Sequence, residues 1–182
     1  MPGLGERMSV SDVLKDLLLD IAQQRSLDAV LRVVVDRLAG EEHIALARIW
    51  LIRPGDICSK CPMPDVCFDQ ARCLHLVASA GRSLVDDGPA WNRLDGEFSR
   101  FPLGVRKVGK VAATGECVAV PDVQKDTEWI ARPEWTRQER IRGFVGQPLV
   151  FKGEILGVLA IFTRTPLSQH CLDWLRMIAD LV

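Results

Sequence analysis

The apolar residues of this 182-residue chain change their period twice, and that change constrains the fold more than any single motif does. Near the start, Val10, Val13, Leu14, Leu17, Leu18 and Ile21 recur at the spacing of one helical face, with Ser9 or Ser11 placed to cap it. A second stripe, Leu27, Val30, Leu31, Val34 and Leu38, runs from Ser26 to Gly40. From Ile44 the helical period is gone. Ile44 to Ile52 is apolar except for Arg48 and stops at Pro54-Gly55, which predicts a strand buried on both faces. Leu74 to Ala80 alternates, with Leu74, Leu76, Ala78 and Ala80 on one face. Gly143 to Phe151 and Ile155 to Thr163, joined by Lys152-Gly153-Glu154, predict a hairpin. After Thr163 the helical spacing returns: Ser168 is a cap, and Leu172, Leu175, Met177, Ile178 and Leu181 form a last stripe.

The middle of the chain is less regular. Residues 82–100 are polar and broken by Gly88, Pro89 and Gly96, which predicts a long loop or lid. Val105 to Thr114 reads as a short helix ended by Gly115, and Cys117 to Val120 as a short strand stopped at Pro121-Asp122. Glu128 to Arg140 is weakly helical, with Pro133 as an interruption. Strands joined by hairpins imply an antiparallel sheet, and helices at both ends imply an α+β fold with those helices packed together on one face. The last stripe is still running at Val182, so the expectation is a fragment of a longer protein.

Composition narrows the function classes. Hydrophobic residues make up 48% and charged residues 26%, the balance of a globular domain, which excludes a disordered or fibrous chain. Twenty-three basic residues against twenty-four acidic ones leave a net charge of -1, which argues against a dedicated nucleic-acid surface. No apolar run approaches the roughly 20 residues that span a bilayer, and the first residues lack a secretion-signal layout. The expectation is a cytoplasmic protein without membrane contact. Disulfides rarely persist in that compartment, so a local cysteine cluster there reads first as a metal or redox site.

Such a cluster is present. Cys58, Cys61, Cys67 and Cys73 give C-x2-C-x5-C-x5-C in one short excursion between two predicted strands. Four thiolates this close can surround a tetrahedral metal ion or an iron–sulfur cluster, because both favour soft anionic sulfur at four corners. Only Cys58 and Cys61 form the C-x2-C knuckle that structural zinc sites use in pairs, and the wider spacing favours an iron–sulfur cluster over a zinc ion. Reactive thiols or a disulfide pair come third, and four unliganded structural cysteines last. His75 is either a substitute ligand or, preferably, an alternating strand residue. Asp65 and Asp69 read as solvated loop charges.

The run Val108-Gly-Lys-Val-Ala-Ala-Thr-Gly-Glu-Cys-Val-Ala-Val-Pro-Asp122 and the hairpin Gln147-Pro-Leu-Val-Phe-Lys-Gly-Glu-Ile-Leu-Gly-Val-Leu-Ala160 together resemble the GAF domain family, over about residues 25–182. The tail from Gly157 to Ala179 is most similar to GAF domains at the N-terminus of sigma-54-dependent enhancer-binding regulators and of sensor histidine kinases. The resemblance implies a GAF-like central antiparallel sheet, with N- and C-terminal helices on one face and ligand-covering loops on the other. It divides the chain into an N-terminal helix for dimerisation or linkage (1–24) and a sensor domain (25–182) with a Cys-rich insert at 56–73. It also implies a sensory module that holds a small ligand and signals to an output domain, an ATPase with DNA-binding activity or a histidine kinase. The open-ended helical stripes suggest a homodimer.

The candidate ligand pocket follows from the same resemblance. Trp91, Phe98, Phe101, Trp129, Trp135 and Phe144 lie in or beside the loops that wrap the cavity in GAF domains, and Trp91, Phe98, Trp129 and Phe144 are its best candidates. Aromatic walls suit an apolar or planar effector, although core packing explains each residue equally well. Arg100, Arg106 and Arg142 read either as contacts to an anion or as solvated charges. Gly104-Val-Arg-Lys-Val-Gly109-Lys110-Val111 departs from a phosphate loop at Val111, which has no hydroxyl for magnesium. Cys117 and Cys171 read as core packing, and His43 and His170 have no catalytic partner nearby in sequence. The lead expectation is a non-enzymatic redox, oxygen or metal sensor. The alternatives are a thiol reductase of the free methionine sulfoxide reductase type, with the cysteines as nucleophile and resolving thiols, and a zinc-stapled oligomerisation domain.

Overall fold

The computed structural model describes residues 10–85, 91–125 and 132–182. In chain order they form α1 (Val10–Ala22), α2 (Leu27–Gly40), β1 (Ile44–Pro54), β2 (Arg72–Gly81), β3 (Arg100–Pro102), α3 (Arg106–Thr114), β4 (Val118–Val120), α4 (Pro133–Gln138), β5 (Gly143–Phe151), β6 (Glu154–Thr163) and α5 (Gln169–Leu181). The capping residues act as their types suggest. The Ser26 hydroxyl accepts a hydrogen bond from the Ala29 amide at the start of α2, and Ser168 accepts one from Cys171 at the start of α5. The β5–β6 hairpin turns through Lys152 at φ 50 and Gly153 at φ 84, two left-handed residues whose twist matches that of the flanking strands.

The strands make one antiparallel sheet in the order β3-β2-β1-β6-β5-β4. Both of its faces are covered, by different layers. On one face α1, α2 and α5 pack through Leu17, Leu31, Val34, Leu175 and Ile178 onto Ile49, Leu159 and Ile161. On the other, α3 and the long connections pack through Val108 and Val111 onto Trp50, Leu74, Phe144 and Val158. β1 lies between the layers and contributes Ile49 to one core and Trp50 to the other, as a strand buried on both faces must. Its pairing with β2 shifts register between these two residues. Among the described residues no helix is long and apolar enough to cross a membrane.

The α+β architecture with an antiparallel sheet and terminal helices on one face is thus the one expected, and three local expectations need correction. The described residues of 82–99 are irregular as expected, and what the sequence reading lacked is β3, an edge strand opening at Arg100 in which Phe101 and Pro102 are buried. Pro133 does not interrupt a helix but opens α4 at its first turn, where its missing N–H costs nothing. Cys117 is exposed rather than packed in the core, whereas Cys171 is buried. Trp129, residues 86–90 and the alternative cap Ser9 lie outside the described residues.

Candidate functional sites

The insert closes at its base where the Gly55 amide donates to the Ala71 carbonyl at 3.0 Å. A side chain at Gly55 would meet the Gln70 carbonyl and the Cys58 sulfur, so the two ends of the excursion approach as only glycine permits. Between them, short 3-10 turns at Cys58–Lys60 and Pro64–Val66 fold the chain back on itself. Met63 is the buried anchor of the excursion and joins the core on the α3 side of the sheet.

This folding brings Cys58, Cys61, Cys67 and Cys73 to the wall of one small recess, whose floor includes Arg100 and Phe101 of β3. All four are free thiols. The Cys58 and Cys67 thiols donate to the Gln70 and Asp69 carbonyls at 3.4 Å, and the Met63 amide donates to the Cys61 sulfur at 3.4 Å. Burial pushes the Cys67 thiol up, with the Cys61 and Cys58 charges adding to it, and burial pushes Cys73 up to about 11. The thiolates of Cys67 and Cys73 are therefore disfavoured beside Cys58 and Cys61, a conflict that a bound cation relieves.

The tightest set of potential ligand atoms is a different one. Among the described residues, those lying within 4.8 Å of one another belong to Asp56, Cys73 and His75. His75 is 7% exposed, and its Nε2 lies 2.9 Å from the Pro54 carbonyl, to which it donates, and 3.7 Å from Asp56. Burial, with Arg100 nearby, holds the imidazole below its ordinary value. Arg100 also grips Asp56 and holds that carboxyl down to about 2. The strand position of His75 is the one expected, and its approach to Cys73 adds a donor that its spacing had left as the lesser reading. Asp65 and Asp69 are exposed loop charges, as expected, and Asp69 caps the Ala71 amide at 2.8 Å.

The α3 side of the sheet also carries a cavity of about 580 Å³ between β1, the 91–101 segment, α3 and α4. Trp91, Phe98 and Phe144 line it, as anticipated, together with Phe101 and Trp135. Its walls are chains of rings: Trp91 against Trp135 at 5.6 Å, Trp135 against Phe162 at 5.4 Å, and Phe162 against Phe144 at 5.0 Å. Phe101 stacks on Phe98 at 5.9 Å and meets Trp50 edge-on at 5.8 Å, and the Trp50 indole N–H donates to the Phe98 carbonyl at 3.0 Å.

Of the three arginines weighed for an anion, only Arg106 reaches this cavity. Arg100 is committed to Asp56, and Arg142 to Asp122 at 2.9 Å. Sequence reasoning missed Arg48, Lys107 and Arg132, which also line the cavity. Arg48 had a usable signal, because it is the one charge between Ile44 and Ile52 in an otherwise apolar run. Arg132, next to a proline in a polar stretch, had none.

A family model described as GAF domain matches residues 26–182. No curated protein sequence matches the chain. Solved structures share its fold at low identity. The GAF domain of a Coxiella burnetii phosphoenolpyruvate-protein phosphotransferase is 19% identical at a TM-score of 0.67, covering 97% of this chain and 92% of that one. Free methionine-R-sulfoxide reductase from Neisseria meningitidis, in complex with its substrate, is 18% identical at 0.67, covering 100% and 93%. The A. aeolicus Nlh2 GAF domain in an inactive state is 18% identical at 0.64, covering 94% and 91%.

Proposed function

This chain belongs to the GAF domain family, and on that premise we propose that it is a regulatory module whose Cys-rich insert senses redox state, oxygen or metal through an iron–sulfur cluster, with a zinc ion as the alternative occupant. The observation that carries the reading is the convergence of Cys58, Cys61, Cys67 and Cys73 on one recess. In type the donors suit such a group: four soft sulfurs line the recess, and among the described residues the ligand atoms within 4.8 Å of one another are those of Asp56, Cys73 and His75. A bound centre supplies electron transfer or a labile cross-link, and the protein's part is to hold the thiolates together and to respond when they part.

β3 is the natural relay. Arg100 and Phe101 form part of the recess, and Phe101 also walls the large cavity. Loss of the centre frees the excursion at 56–73, withdraws support from β3 and changes the cavity behind it. The output is a domain elsewhere in a longer polypeptide, of the kind that activates sigma-54-dependent transcription or acts as a histidine kinase. The module works in the cytoplasm as a homodimer, for which α1 offers the exposed Leu18 and Leu19.

A non-enzymatic role is favoured over the thiol reductase. A nucleophilic cysteine needs its thiol pulled down, whereas Cys67 and Cys73 are pushed up. The test is metal analysis and visible absorption of protein purified without oxygen, beside a Cys61→Ser variant. Stoichiometric iron with a brown chromophore, lost in the variant, supports the cluster. Colourless protein with zinc replaces it by the alternative occupant. Metal-free protein that reduces methionine sulfoxide with thioredoxin overturns the regulatory reading.

A further inference from the structure

The large cavity has a composition that says what it takes. Four cations line it, Arg48, Arg106, Lys107 and Arg132, and among its described lining residues there is no carboxylate. Cations gathered in an aromatic pocket repel one another and lose hydration. Arg48 feels both effects: burial first, and then the Arg132 charge, bring its guanidinium down to about 10. An anion placed between the two would reverse the second effect and offset the first.

The arrangement around Arg48 is set in advance. Its Nε donates to the Ser79 hydroxyl at 3.1 Å, and that hydroxyl donates to the Trp91 carbonyl at 2.5 Å. This relay fixes the plane of the guanidinium, while among the described residues its two terminal nitrogens make no hydrogen bond. Arg132 lies 4.9 Å over the Phe98 ring and is held from outside by Glu97 at 2.5 Å. Arg106 lies 5.7 Å from the same ring, at φ 55 in the left-handed region, as the first residue of α3. Both guanidinium groups thus lie near the Phe98 ring beside the space that a ligand would enter.

Resting on the reading of this domain as a regulatory module, we propose that the cavity binds a planar aromatic anion, with its ring between the Trp91–Trp135 pair and Phe144 and its acid group between Arg48 and Arg132. A guanidinium fork matches a carboxylate better than any neutral group, and a lining built largely of aromatic rings matches a flat ligand better than a branched one. A volume of about 580 Å³ is within the range of small-molecule sites and leaves room for a fused bicyclic ring system.

The test uses the whole 182-residue chain and three probes: 2-naphthoate, its neutral isostere 2-naphthamide, and the non-planar anion cyclohexanecarboxylate. Binding is read by calorimetry and by quenching of the tryptophans in the cavity. Naphthoate is expected to bind at least about tenfold more tightly than the other two, the loss that goes with one charge-assisted hydrogen bond. Arg48→Gln should weaken naphthoate by a similar factor, and Arg48→Lys by less. Arg132→Gln, at an exposed position, serves if the Arg48 variants do not fold. Naphthamide or cyclohexanecarboxylate binding within about twofold of naphthoate, or naphthoate binding unchanged in Arg132→Gln and Arg48→Gln, overturns the ligand class and leaves a ligand cavity standing. No response to any probe overturns the cavity as a ligand site.

Discussion

The guanidinium of Arg100 holds the carboxylate of Asp56 through two parallel hydrogen bonds, from Nε at 2.9 Å and from Nη2 at 2.6 Å. This fork ties the first residue of the Cys-rich insert to the edge strand β3, and so joins the recess to the wall of the large cavity. Arg100→Gln should leave the fold intact and loosen the insert. The expected outcome is faster limited proteolysis between residues 56 and 72, and faster release of bound metal to a chelator. Unchanged rates for both would remove β3 from the proposed relay.

The helical layer depends on a few side chains with no exposure. Leu31 on α2 is fully buried against the sheet, and Leu31→Ala leaves a cavity between layers that cannot slide together. A loss of about 2–5 kcal/mol in unfolding free energy is expected, measured by urea denaturation with an unchanged m value.

Strand β6 crosses β1 at a point where no side chain fits. A Cβ at Gly157 would lie 2.1 Å from the Trp50 carbonyl and 3.0 Å from Leu51. Gly157→Ala must push apart two central strands, and a loss of about 1–3 kcal/mol is expected. Because Trp50 is in the same contact, the intrinsic fluorescence should change with it. An alanine variant as stable as the parent would contradict the register of β1 on β6.

Asp122 supplies the acid-sensitive link in the other half of the sheet. Hydrogen bonding from Arg142 holds its carboxyl below the ordinary value of 3.8. A depressed carboxylate contributes stability above its unfolded value and loses it as pH falls through its folded one. The contribution should therefore be complete at neutral pH and fade below about pH 4. Asp122→Asn should lower the melting temperature at pH 7 and flatten the acid limb, and the two proteins should converge once the pH has fallen through the folded value of Asp122. Parallel acid limbs would show that the pair contributes nothing.

The elements with strong local signals were legible in the chain. Ser26 and Ser168 cap the helices that their positions announced, and Lys152-Gly153 turns the hairpin as left-handed residues do. Edge features were less so. β3 is three residues long, and its residues are strand only because β2 pairs with them, Leu74 opposite Phe101. Pro133 was misjudged because a proline looks alike from sequence whether it opens a helix or breaks one.

The chain by itself determined the layers, the hairpins and the gathering of four cysteines within a few turns, since each depends on near neighbours and on the period of apolar residues. The tertiary structure decided what meets across that distance. Asp56, from the far end of the insert, came beside Cys73 and His75, and Arg48 and Arg132, 84 positions apart, came to one aromatic cavity. Charges and rings from separate segments converge only when the sheet has folded, because no local rule of spacing relates residues whose nearness comes from the pairing of strands.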